Sequence, residues 1–442
     1  MTTHLLTGSV RPRVLIIIQN LHVPFDRRVW LECQSLRRNL YDVTVVCPAG
    51  PDSLPYEVID GIEVYTYPPH ASGGGGMGYL KEYAYSFLAT ARLVRRARRR
   101  GRIDVLQACN PPDIFWPLAR WLRLRDGTRF LFDHHDLCPE LYRSRFPSRN
   151  GLLLRGLLLL ERATFRTADA VTSTNGSYAH VARTRGGKAD SAVTVVRTGP
   201  DPEKLQRGPA EPELRRGRQH LVAYLGVMGP QDGVDIVIDA AHHIVHEMGR
   251  TDIAFTLLGG GDCFDDLVRQ RDRLGLQDHV VMTGRVPDAT VASVLSTADV
   301  GLSPDPRNPL NDVSTMNKTM EYMAFGLPVV AFDLVETRVS AGAAAVYAEP
   351  NDVGSYARAI VELVDNADAR AEMGLLGRKR VVDQLAWGHQ EAAYVRVVDD
   401  LAGVFRPSKP RLPASLPTRV PAPRTRSSQP APSRPTPTRT DA

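Results

Sequence analysis

The stretch NDVSTMNKTMEYMAFGLPVVAF, residues 311–332, reads as a helix followed at once by a strand. Ser314, Thr315 or Asn317 is suited to cap the helix, Gly326 to close it, and Pro328 leads into the β-prone run Val329-Val330-Ala331-Phe332. Lys318 and Glu321 lie about one helical turn apart, so both fall on one face at the start of this helix. On an isolated helix such a pair is a surface ion pair worth little. The rest of the chain decides whether it is more.

Working outward, the same helix-then-strand unit recurs. Upstream, VLIIIQN, YDVTVVCP, IEVYTY, IDVLQAC, RFLFDHHD, ADAVTSTN and AVTVVRTG read as strands, with helices near 27–40, 79–100, 112–123, 153–167 and 176–185. A polar segment with three prolines, 202–219, interrupts the pattern. LVAYLG then restarts it, followed by IAFTLLGGG, HVVMTG, ADVGLSP, LPVVAF and AAVYAEP, with helices near 233–248, 263–274, 289–297, 317–325 and 355–365. Apolar strands separated by helices imply largely parallel sheets covered on both faces. The expected fold is α/β, with two Rossmann-like doubly wound domains facing across a cleft. The expected divisions are a flexible 1–12, a first domain 13–201, a linker 202–219, a second domain 220–385, a helix 386–405 packing back on the first domain, and a disordered tail 406–442.

The chain has 442 residues and a formal charge of +6, but residues 406–442 hold eight Arg and Lys against one Asp, so the remainder carries about −1. Ten prolines in that tail argue against a packed core there. No ordered basic and aromatic array appears elsewhere, which excludes nucleic acid as the expected partner. The first apolar run, VLIII at 14–18, is too short for a signal core or a span, so a cytoplasmic location is expected. LVRRARRRGR at 93–102 and the leucine-rich GLLLRGLLLLERATF at 151–165 suit an anionic membrane surface, at the inner face of the cell membrane, or else a solvated helix end and a core helix. Cys33, Cys47, Cys109, Cys138 and Cys263 have neither disulfide nor zinc spacing, so buried thiols and no metal are expected.

Several loops at expected strand ends carry polar chemistry. In LHVPFDRRVWLE, Asp26, Arg27 and Arg28 stand at a helix start, where an acceptor or a phosphate group would be received. FLFDHHDLCPE places His134 and His135 after an apolar strand, and a histidine there can hydrogen-bond a sugar hydroxyl or a phosphate. No Gly-x-Ser-x-Gly elbow supports a hydrolase. YLGVMGPQDGVD offers Gly226, Gly229 and Gly233 before a helix, and FTLLGGGD offers Gly259, Gly260 and Gly261 before Asp262. Glycines there allow close backbone approach to an anion, although neither loop matches the dinucleotide or P-loop fingerprint.

PFDRRVWLE, DHHDLCPE, YLGVMGPQDGVD, LLGGGD, MTGRVP and NKTMEYMAFGLPVV together resemble the retaining bacterial glycosyltransferases of family four, over about residues 13–400. That resemblance implies a GT-B enzyme, a hexosyltransferase moving a sugar from a nucleotide diphospho-sugar, expected to be a UDP-sugar, to a glycan, lipid-linked or small-molecule acceptor, with no tightly bound cofactor and no obligatory metal. It further implies Glu321 on the donor ribose, and Lys318 on the diphosphate with backbone donors near Ser314 and Thr315. His135, with His134 as competitor, is implied beside the donor sugar, Gly226 to Gly233 and Gly260 to Asp262 along the nucleotide, and Arg285 beside the base. Two departures stand out. Val313 occupies the place of a family glutamate eight residues before Glu321, with Asp312 beside it, and GVMGPQDG lacks the usual Arg and Lys pair, which implies a larger share of the phosphate charge for Lys318, with Arg197 or an arginine from the other domain assisting. The alternatives are a GT-B nucleotide-sugar epimerase and a catalytically weakened sugar-nucleotide-binding protein.

Overall fold

In the computed structural model, residues 11–70, 75–145 and 151–405 are described; residues 1–10 and the 406–442 tail, on which two of the expectations fall, lie outside them. The first sheet contains β1 (Arg13–Ile17), β2 (Asp42–Pro48), β3 (Tyr56–Ile59), β4 (Ile62–Tyr67), β5 (Val105–Cys109), β6 (Arg129–His134), β7 (Ala170–Ser173) and β8 (Val193–Val195), in the order 3-4-2-1-5-6-7-8. All neighbours are parallel except β3, which runs antiparallel to β4. The second sheet contains β9 (His220–Leu225), β10 (Ile253–Leu258), β11 (Val280–Gly284), β12 (Val300–Ser303), β13 (Val329–Phe332) and β14 (Ala345–Ala348), all parallel, in the order 11-10-9-12-13-14.

In each sheet the first strand ends centrally, with its successors leaving in opposite directions. That topological switch point places loops after β1 and β9 at the carboxyl edge, where ligands of open α/β sheets bind. Alternating residues of β1 supply opposite faces: Leu15 and Ile17 join Phe130, Phe132 and Phe165, while Val14 and Ile16 join Val29, Leu36 and Leu131. Helices on both faces make the central strands buried apolar runs, which is why the sequence pattern was continuous there.

The structure adds elements the sequence reading omitted. β3 forms a hairpin with β4 through Asp60 and Gly61, both at positive φ (50° and 76°), the two-residue turn favoured by an Asp-Gly pair. Helices Cys138–Arg145, Val335–Ala341 and Ala367–Arg380 were also unanticipated. The 317–324 helix closes at Gly326 (φ +68°) as expected, but Met316 is its N-cap and makes no side-chain cap bond. Ser314, Thr315 and Asn317 do not cap it.

The segment 202–219 docks on the second lobe: Arg207 donates to the carbonyls of Ser296 and Ala298, and Arg215 pairs with Asp299 at 2.6 Å. The Trp387–Ala402 helix packs on the first sheet, with Trp387, Tyr394, Val395 and Val398 in the core beside Val29 and Leu36. Trp387 Nε1 donates to Ser35 Oγ at 2.9 Å, and the Tyr394 hydroxyl donates to Gln107 Oε1 at 2.6 Å. Tyr394→Phe removes that donor and leaves a buried amide oxygen unpaired, so urea denaturation is expected to show a loss of about 1–2 kcal/mol. An unchanged midpoint would mean that the Tyr394–Gln107 hydrogen bond adds nothing to the helix's hold on the sheet.

Candidate functional site

The carboxyl edges of both sheets meet at a mouth where several of the predicted residues converge. From the first lobe, Arg27 at the start of the Arg27–Arg38 helix reaches Glu321 Oε1 at 2.9 Å and Asp288 Oδ1 at 3.2 Å. The guanidinium of Arg285 lies 5.3 Å from the ring centroid of Phe25. Asn175 donates to the Val313 carbonyl at 2.9 Å and to Thr315 Oγ1 at 3.0 Å, while the Tyr178 hydroxyl bonds Ser314 Oγ at 2.8 Å. Ser177 Oγ donates to Glu336 at 2.7 Å, and Arg197 stands 3.6 Å from the same carboxylate.

Glu321 is thus at the mouth, its side chain 20% exposed. Burial pushes its carboxyl upward and Arg27 opposes this, leaving the group raised. Lys318 pairs with buried Asp305 at 2.6 Å and sits 5.2 Å from the Tyr224 ring centroid. Burial pulls its ammonium down, but Asp305 and Asp232 outweigh that and hold it charged. A Cβ placed on Gly226 would come within 3.2 Å of Lys318 Cε, so the lysine stem lies against the first glycine loop. Sequence reading missed Asp305, 13 residues from its lysine.

The glycine loops serve each other as much as any ligand. A Cβ on Gly259 (φ +126°) would stand 1.9 Å from the Gly226 carbonyl, and one on Gly233 (φ +67°) 2.2 Å from the Pro304 carbonyl. The Gly226 amide donates to Leu258 and the Gly229 amide to Asp232, so these two donors are already committed to the protein. Of the three consecutive glycines only Gly260 has room for a side chain, the nearest atom to an added Cβ being Arg285 Cγ at 4.0 Å; Gly261 and Asp262 are exposed beyond it.

Three expectations are corrected. Asp26 is an N-cap, accepting from the Val29 amide at 2.9 Å, and is buried. Arg28 is buried and bound to Asp133 at 2.8 Å, Glu32 at 3.1 Å, the Val196 carbonyl and Thr198, so it cannot receive an acceptor or a phosphate. His134 is fully buried among Phe132, Phe165 and Tyr178, with neither ring nitrogen hydrogen-bonded. It is a core residue. His135 is 13% exposed, with Nε2 2.5 Å from Asp133 Oδ2 and 2.9 Å from Arg28 Nε.

The departures from the family pattern also have places. Val313 packs with Leu137, Tyr178 and Leu310 in an apolar contact joining the two lobes. Asp312 accepts from the Val335 amide at 3.1 Å and lies 3.6 Å from Arg307. Cys109, Asp133 and His135 offer atoms within 4.8 Å of one another, the spacing of a metal group. Burial and Asp133 hold the Cys109 thiol protonated, and Arg28 already supplies a cation there, so this set is poorly suited to a metal. All five cysteines are free, four of them buried and Cys263 partly so.

The profile of the family described as "Glycosyltransferase Family 4" matches residues 26–204, and that of "Glycosyl transferases group 1" matches residues 219–366. The chain is a GT-B protein related to the family-four glycosyltransferases. It is 27% identical over 241 residues to the 2-deoxystreptamine glucosyltransferase of Streptomyces kanamyceticus, covering 52% of this chain and 60% of that protein. The chain spans about half to three fifths of the first curated relatives it matches. Among solved structures, sucrose-phosphate synthase from Thermosynechococcus elongatus superposes with a TM-score of 0.71 at 16% identity, over 89% of this chain and 100% of that one. Anabaena HepE in complex with UDP and glucose superposes with a TM-score of 0.67 at 16% identity, over 88% and 100%. These structures establish the GT-B fold.

Burial, then Arg185 and His135, push the His134 imidazole down to about 3. The unfolded ring binds a proton below about 6.5 while the folded ring refuses it. The resulting stability is full above pH 6.5 and is lost as pH falls toward 3, at up to about 1.4 kcal/mol per pH unit. His134→Phe removes this loss. Its denaturation midpoint relative to the natural chain is expected to be higher at pH 5 than at pH 8; an equal difference at both would place the ring's proton elsewhere.

Proposed function

We propose that the chain is a retaining hexosyltransferase that moves a sugar from a nucleotide diphospho-sugar, a UDP-sugar, to a hydroxyl of a glycan, lipid-linked or small-molecule acceptor. The observation that carries the reading is Glu321 and Lys318 at one helix start, with Glu321 at the mouth between the lobes and Lys318 against the Gly226 loop. The relatives support it through their printed activities: a glucosyltransferase and GDP-mannose-dependent mannosyltransferases among the curated proteins, and UDP and glucose bound in the HepE structure. Residues 220–385 take the nucleotide and residues 13–201 the acceptor, with 202–219 and 386–405 joining them.

In this reading Glu321 accepts from the ribose hydroxyls, exchanging Arg27 for them, and Arg285 lies beside the base. Lys318, with Ser314 and Thr315 at the helix start, faces the diphosphate, and Arg197 is the further cation on the first-lobe side. The anomeric C–O bond to the diphosphate breaks and its electron pair stays on the phosphate oxygen. The acceptor oxygen bonds to the anomeric carbon from the same face and passes its proton to that departing oxygen. Charge grows on the diphosphate as the bond breaks, so a fixed ammonium and the helix N-terminus stabilise the transition state more than the ground state. Lobe contact excludes water from the reacting atoms.

Glu321→Gln is expected to weaken UDP binding about ten-fold by calorimetry, and Lys318→Ala to slow turnover about a hundred-fold with weaker donor binding. Unchanged UDP affinity in the first variant would reject the ribose contact. Product NMR reads the anomeric configuration: inversion would overturn the retaining mechanism.

No described helix is long and apolar enough to cross a membrane. Leu152, Leu153 and Leu159 are exposed on the Leu152–Thr167 helix, as are Leu88 and Leu124 on neighbouring helices of the same lobe. With the arginines of 93–102, they form our proposed contact with an anionic membrane surface. Co-sedimentation with phosphatidylglycerol vesicles is expected, and its loss at high salt or in Leu152→Ser/Leu159→Ser. Equal pelleting of that variant would exclude this face.

A further inference from the structure

Asp133 has no exposed surface, yet its oxygens gather partners from three other elements and from the loop after β6. Oδ1 accepts from Arg28 Nη2 and Thr172 Oγ1, each at 2.8 Å; Oδ2 accepts from Gln107 Nε2 and Arg28 Nε, each at 3.3 Å, and lies 2.5 Å from His135 Nε2. A carboxylate so surrounded is ionised: burial alone would raise it, but Arg28 and His135 hold it well below the usual range.

That fixes the proton on the neighbouring ring. An ionised oxygen 2.5 Å from a ring nitrogen is attractive only if the nitrogen carries hydrogen. Arg28 Nε, 2.9 Å from the same Nε2, would favour a bare nitrogen, but its N–H has Asp133 Oδ2 as another acceptor at 3.3 Å. A bare Nε2 would instead set its lone pair against the carboxylate oxygen, the nearer of its two neighbours at 2.5 Å. The carboxylate therefore decides, and in the neutral ring the lone pair sits on Nδ1.

We propose that Asp133 is a positioning residue that locks His135 in its Nε2–H tautomer, so that Nδ1 meets the donor sugar as a hydrogen-bond acceptor for one of its hydroxyls. This rests on the reading of His135 as the residue beside the donor sugar. Of the cluster, His135 reaches furthest to the surface, with 13% of its side chain exposed against 5% for Arg28 and none for Asp133 and Glu32. Its backbone is held as well, since the His135 amide donates to Asn110 Oδ1 at 2.7 Å.

The support extends to the chain's last described helix. The Tyr394 hydroxyl occupies Gln107 Oε1, which turns the Gln107 amide nitrogen toward Glu32 Oε2 at 2.7 Å and toward Asp133. Burial and Asp133 push the Glu32 carboxyl well up, against the pull of Arg28.

The tautomer is read directly by long-range nitrogen–proton NMR of the full labelled chain near neutral pH, with the His135 signals assigned by their loss in His135→Gln. The expected pattern is Nε2–H; an Nδ1–H pattern in the active natural chain would overturn the proposal, and this measurement requires no Asp133 variant to fold. In steady-state kinetics, Asp133→Asn and His135→Gln are each expected to lower kcat/KM about ten-fold or more, with the double variant no slower than His135→Gln alone. Multiplied losses would show that Asp133 acts otherwise than through the ring. Full activity in His135→Gln would remove the donor-sugar role of His135 itself, an outcome distinct from a wrong tautomer.

Discussion

The buried guanidinium of Arg28 is the constraint on which the first lobe depends. It ties the helix that follows β1 to Asp133 in β6 and to the backbone after β8. A charge in that position is tolerable only with close compensation, and removing either partner leaves the other stranded at a cost of about 3–5 kcal/mol. The ion pair therefore does not add simple stability so much as fix one arrangement of strand ends. His135 leaves the sheet from that arrangement, so its place follows from charges that never meet solvent.

The second constraint is between lobes. Val313 packs with Leu137 and Tyr178 in a small apolar contact, and Asn175, Tyr178 and Ser177 hydrogen-bond around it. A glutamate at position 313 would put a carboxylate into that contact, where desolvation opposes it. The departure from the family pattern and the direct pinning of the 313–315 loop are thus one feature: the opposite lobe holds the loop, alongside the loop's own Ser314 hydroxyl on the Leu310 carbonyl.

Much of the fold was legible because each parallel strand is a short apolar run followed by a helix, a pattern local in sequence. The β3 hairpin was legible too, in Asp60-Gly61, but the eye passes over a four-residue strand with mixed burial. The choice between His134 and His135 was also readable from period two: in RFLFDHHD, His134 shares a face with Phe130 and Phe132, while His135 shares one with Leu131 and Asp133. Partners distant in sequence were not readable. Nothing near Glu321 announces Arg27, 294 residues away, and the donors Gly226 and Gly229 commit to backbone and Asp232 only because two loops fold against each other.

Those commitments bear on how the proposed reaction handles phosphate charge. Lys318 and Asp305 form a nearly neutral pair at 2.6 Å, Arg197 stands by Glu336, and Arg27 by Glu321 and Asp288. Arg285 differs: among the described residues its guanidinium packs over the Phe25 ring, without a carboxylate in an ion pair. A diphosphate entering this mouth meets cations whose fields are largely cancelled at a distance, so long-range attraction is weak. At contact range the balance changes, because an ammonium fixed between Asp305 and the Gly226 loop needs no reorganisation when negative charge develops beside it. Orientation, rather than an excess of positive charge, is what these residues supply.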